Sequence, residues 1–90
     1  MPSEQQILIE AGDEAEQLLA SSAFESVINE LVEQTFQGFV NSAPDESAKR
    51  EQLYSHYRAV VDVVSSLKQR VAIKDQIVTG GDSQQEETGP

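Results

Sequence analysis

Ninety residues with 16 acids, six bases and no cysteine describe one small acidic domain without disulfides or thiolate metal sites to hold it together. A formal charge of −10 argues against direct phosphate binding, which needs Lys and Arg. No stretch approaches the roughly 18 apolar residues of a membrane span, and Met1-Pro2-Ser3-Glu4 opens no basic, apolar export signal.

The first periodic stretch predicts a helix over residues 4–20. Leu8, Ala11, Ala15, Leu18 and Leu19 fall on one narrow face, with Glu10, Asp13, Glu14 and Gln17 away from it. Gly12 lies beside that face. It costs about 1 kcal/mol relative to alanine inside a helix, so its presence points to close approach of another helix. Ile7 and Ile9 leave room for a short extended lead-in. Ser22 followed by Glu25 matches the capping box, in which each side chain satisfies a free N–H of a new helix N-terminus, so a break is expected at Ser21-Ser22.

The second helix is expected over residues 23–41. Phe24, Val27, Ile28, Leu31, Val32, Phe36, Phe39 and Val40 cover more of its circumference than one neighbour could bury, which predicts two packing partners. All three phenylalanines are here, and Gly38 sits among them. Asn41-Ser42-Ala43-Pro44-Asp45 is a turn: Pro44 cannot continue the helix, and Asp45 is a suitable N-cap for the next one. So short a connection makes its two helices an antiparallel hairpin.

The third helix is expected over residues 46–78. Leu53, Tyr57, Val60, Val64, Leu67 and Val71 are spaced 4, 3, 4, 3, 4, a heptad seam. Glu46 and Arg50 stand at the spacing of a favourable i, i+4 pair. The seam fails at Lys74, where an apolar residue is due, and Ile73 and Ile77 carry it on in a shifted register. Val60-Val61-Asp62-Val63-Val64 has the β-branched content of a strand, but the helical period around it outweighs that. Gly80-Gly81 is expected to end the helix. The fold is therefore all-α: a hairpin of helices 23–41 and 46–78 with an additional N-terminal helix, forming a helical domain at 1–80, followed by a disordered polar tail at 81–90.

Charge is distributed unevenly. All eight charged side chains before residue 41 are acidic, and all six basic residues follow it. Arg58, Lys68, Arg70 and Lys74 could form a basic stripe, but Arg58 lies on another face and acids intervene. Pairing with the acidic first half of the same chain or a neighbour is the better reading, and no direct nucleic-acid contact is expected. His56 has none of the companion ligands of a zinc site. Acid pairs such as Asp13-Glu14 and Glu30-Glu33 would need a concave site to act as glycosidase carboxylates, and a hairpin offers none. Gly80-Gly81-Asp82 lacks the lysine and following helix of a phosphate loop. The chain is thus expected to be no enzyme and to need no cofactor or metal.

Gly12-Asp13-Glu14-Ala15-Glu16-Gln17-Leu18-Leu19, Ser22-Ala23-Phe24, Arg50-Glu51-x-Leu53-Tyr54 and Tyr57-Arg58-Ala59-Val60, with Leu67 beyond, resemble the motif order of a loose group of short, largely uncharacterised helical proteins of tailed bacteriophages. The resemblance spans residues 11–78 and departs at Ser21-Ser22, where a proline is commoner. It implies a phage accessory protein in virion assembly or DNA packaging, located in the virion or host cytoplasm, and brings no catalytic residues.

The leading expectation is a structural or assembly protein that forms homo-oligomers and docks onto larger phage components. Its core or interface would use Phe24, Ile28, Leu31, Phe36, Phe39, Leu53, Tyr57, Val60, Val64, Leu67 and Val71. The alternatives are an acidic inhibitor presenting Glu14, Glu30 and Glu33 to the basic surface of a host DNA- or RNA-binding protein, and a small DNA-packaging subunit.

Overall fold

The computed structural model describes the backbone of residues 2–88 and the side chains of residues 2–80. Among the described residues there are three helices, α1 (Glu4–Ala20), α2 (Ser22–Val40) and α3 (Ser47–Thr88), and no strand. The β-branched run at residues 60–64 is helical, as the surrounding period requires. No helix is long and apolar enough to cross a membrane among the described residues.

The helix starts follow from hydroxyl and carboxylate caps. Ser3 begins α1: its Oγ accepts from the Gln6 amide at 3.0 Å, so Ile7 and Ile9 are helical and there is no extended lead-in. The expected break before α2 is present, one residue earlier than the sequence suggested. Ser21 is the N-cap, extended at φ −70 and ψ 124, and its Oγ accepts from the Phe24 amide at 3.2 Å. Ser22 is already helical, so the Ser22–Glu25 capping box does not form.

Two expectations about the turn before α3 are also corrected. Asp45 does not cap α3. Glu46 occupies that position, its carboxylate reaching back to accept from the Ala43 amide at 2.7 Å. Arg50 consequently does not pair with Glu46. Its guanidinium donates to the Ala43 carbonyl at 2.9 Å and the Pro44 carbonyl at 2.8 Å, a planar fork closing the turn from the helix side. Glu46 instead stands 3.9 Å from Lys49.

At its far end α3 runs through Thr88, beyond the expected end at residue 78. Gly80 takes no left-handed conformation of the kind that terminates helices. The expected polar tail, residues 81–90, lies outside the residues whose side chains are described.

The helices separate into two compact units. One is Ala20–Ser65, in which α2 and the first half of α3 form the antiparallel hairpin. The other is Met1–Leu19 with Ser66–Pro90, in which α1 packs on the second half of α3. Below they are the hairpin unit and the α1 unit.

Candidate functional site

In the hairpin unit, α2 lies close against α3 at Gly38. A Cβ there would lie 2.8 Å from a methyl of Leu53, so glycine lets the leucine fill the space above the α2 backbone. Three residues earlier, Thr35 is the one buried polar residue among the described residues. Its hydroxyl donates to the Leu31 carbonyl at 2.9 Å, which satisfies it inside its own helix and turns its methyl to the seam. Thr35 lies seven residues after Ile28 and four before Phe39, on the inward period of α2. Because that hydroxyl needs nothing from α3, Thr35→Val is expected to change stability by no more than about 0.5 kcal/mol, in the stabilising direction. Chemical denaturation of the two proteins checks this.

The expected interface residues divide between inside and outside. Phe24, Ile28, Phe39, Leu53, Val60 and Val64 in the hairpin unit, and Leu67 and Val71 in the α1 unit, are half-buried. Leu31, Phe36 and Tyr57 are more exposed, Phe36 by more than half. No large side chain among the described residues is fully buried. The hairpin closes one stripe of each helix and leaves apolar side chains on the flanks exposed.

One flank is the main candidate interaction site. Val32, Thr35, Phe36 and Phe39 from α2 and Tyr54 and Tyr57 from α3 line an open groove along the hairpin. Phe36 and Tyr54 are each 57% exposed and Tyr57 40%, so water covers aromatic carbon along the groove. Four of the chain's five aromatic residues meet here. Phe36, Phe39 and Tyr57 are among the expected interface residues; Tyr54 joins them, three before Tyr57 and hence on the same side of α3. The opposite flank holds a second groove, lined by Leu31, Gln34, Thr35, Leu53, His56, Ala59 and Val60. His56 is an exposed wall residue there.

The α1 unit is built on a closer approach. Gly12 and Ala15 are its buried residues, with Ile9, Ala11 and Leu19 half-buried around them, while Leu8 and Leu18 face outward. The inward face is thus centred on Gly12, which sequence reading had placed beside it. A Cβ on Gly12 would collide with the Lys74 Cβ and lie 2.9 Å from the Arg70 carbonyl oxygen. Lys74 explains where the heptad seam goes. Continuing 67, 71 by three gives 74, and the lysine does occupy that seam position, its stem beside Gly12. Its side chain is 14% exposed, and its ammonium emerges on α1 to donate to Asp13 at 2.9 Å and Glu16 at 3.1 Å. Lysine thus serves as an apolar spacer with a polar anchor. The expected pairing between the basic second half and the acidic first half is made here, while Arg58 meets Asp62 on its own helix at 3.4 Å.

The hydrogen bond to Asp13, then that to Glu16, raises the Lys74 ammonium above its ordinary 10.5; desolvation opposes them without cancelling them. A pKa raised on folding means that the stabilisation is complete below 10.5 and is lost as pH rises through the higher folded value. Wild-type stability is therefore expected to fall in that alkaline window by more than that of Lys74→Met, which keeps the stem and lacks the titrating group. Thermal unfolding of both proteins across the window measures the difference.

The three acids expected to form an acidic face are all exposed. Glu30 accepts from Gln34 at 3.4 Å and Glu33 from Gln37 at 3.0 Å, both along α2. Glu14 belongs to the α1 unit, where the carboxylates that find a cation are its neighbours Asp13 and Glu16. No cluster of three His, Asp or Glu side chains suited to a metal ion occurs among the described residues. No protein-family model, curated protein or solved structure matches the chain.

Proposed function

We propose that this chain is a non-enzymatic assembly protein that self-associates through helix–helix contacts, working in a tailed-bacteriophage particle and docking there onto larger components. The observation that carries this reading is the aromatic groove of the hairpin unit. Phe36 and Tyr54 are more than half exposed and Tyr57 is 40% exposed, while Ala15 is the one buried hydrophobic residue among those described. A contiguous exposed aromatic surface on a small domain marks an interaction site, and aromatic side chains are enriched at protein interfaces. The phage setting rests on the motif resemblance alone.

Sedimentation equilibrium at tens of micromolar is the direct test, with a dimer or larger species expected. A monomer throughout would remove self-association from the reading. Mass spectrometry of purified particles tests the setting separately: a chain that never co-purifies with them is no virion component.

A further inference from the structure

The rims of the aromatic groove differ in charge. Helical geometry puts Glu33 about 60° beyond Phe36 around α2, on the rim away from α3. It puts Arg58 about 40° beyond Tyr54 around α3, on the rim away from α2. The antiparallel register sets Gly38 against Leu53 and Leu31 beside Val60, which brings residues 33 and 58 to the same height. Glu33 on one lip thus stands level with Arg58 on the other, a base that shares its lip with Asp62, its partner at 3.4 Å, and with Glu51.

The geometry points to a two-fold dimer of this chain in which two aromatic grooves face each other, α2 of each copy lies over α3 of the other, and Glu33 meets Arg58 of the partner subunit. This rests on the self-association proposed above and adds its face, axis and register. A two-fold axis parallel to the helices lays each α2 on the opposing α3 at unchanged height. Glu33 then meets Arg58 of the partner subunit at two places related by the axis. The other face-to-face two-fold lays α2 on α2. It sets Glu25 and Glu33 against a second α2 that carries the same acids and contains no basic residue. Charge complementarity therefore selects the first axis.

The face is of sufficient size. The 19 residues of α2 extend about 28 Å, and two helices about 10 Å wide offer roughly 560 Å² per copy, or about 1,100 Å² for the pair. A specific interface needs about 1,000 Å². Arg58 is available for the contact, because its 3.4 Å bridge to Asp62 joins two side chains that are each more than half exposed.

The test uses Glu33→Lys, Arg58→Glu and the double variant of the full chain, with circular dichroism to establish that each remains helical. Both positions are exposed, so folding is expected to survive. In sedimentation equilibrium each single variant should self-associate about tenfold more weakly than wild type, since like charges then oppose each other at both lips. An equimolar mixture of the two single variants should regain wild-type association as a heterodimer, because every introduced charge meets its opposite. The double variant should regain it as a homodimer. A wild type that dimerises while the single variants match it, or while the mixture gains nothing, overturns this face and register and leaves self-association standing. A wild type that stays monomeric overturns both and assigns the groove to a different protein.

Discussion

Gly12→Ala is expected to lower stability by about 1–2 kcal/mol, although alanine is the better helix former by about 1 kcal/mol. The added methyl has no room: it would meet the Lys74 Cβ and lie 2.9 Å from the Arg70 carbonyl oxygen. Both belong to the α3 backbone or its first side-chain carbon, so no rotamer change relieves the clash. α1 must lift away, which separates Lys74 from Asp13 and Glu16 and exposes Ala15. Gly12→Leu is expected to cost about 3 kcal/mol, the upper end for overpacking. At about 4–8 °C per kcal/mol in a domain of this size, these losses are plain in a thermal melt followed by circular dichroism. Gly38→Ala supplies the contrast. Its methyl would meet the two methyls of Leu53, at 2.8 and 3.0 Å, and the end of a leucine can turn aside. The helix-propensity gain then offsets most of the strain, and a change within about 0.5 kcal/mol is expected. If Gly12→Ala proves as mild as Gly38→Ala, the close backbone approach of α1 to α3 is wrong.

Arg50→Ala is expected to cost about 2 kcal/mol, or roughly 8–16 °C in the same melt. The guanidinium holds the Ala43 and Pro44 carbonyls together, and each is a charge-assisted bond. The Pro44 bond is exposed and water replaces part of it. The Ala43 bond is part-buried and its loss is felt more fully. Arg50→Lys should recover less than half of the loss, because an ammonium is a point donor and cannot span two carbonyls as the planar fork does. Full recovery by lysine would show that charge alone matters at the turn.

The helices were legible because their signals are local and repeated. The heptad spacing from Leu53 to Val71 fixed the face of α3, and Pro44 fixed the hairpin. Caps and pairs were misread where two solutions differ by one residue. Ser21 and Ser22 are both good N-caps, and Arg50 could reach Glu46 or the turn carbonyls. Lys74 was read as the end of the seam because hydrophobic scales score the whole side chain, while its four methylenes pack and only its terminus is charged. The aromatic groove was half visible. Three of its aromatics were named from spacing. Which side of the stripe remains uncovered depends on the crossing of α2 and α3, and no one-dimensional period encodes that.

The two units differ in how far along the chain their partners lie. In the hairpin, Gly38 meets Leu53 across a short loop, but the bonds from Lys74 to Asp13 and Glu16 span 61 and 58 residues. Closing the longer span costs about 1.2 kcal/mol more in chain entropy, so the hairpin is the natural nucleus and α1 docks late. On the ribosome the order of manufacture is the reverse. α1 emerges before its binding surface, beyond residue 66, has been made, so α1 waits with its glycine face open while the intervening residues are synthesised. The acids at Glu10, Asp13, Glu14 and Glu16 keep that waiting helix in solution, and two of them later receive Lys74.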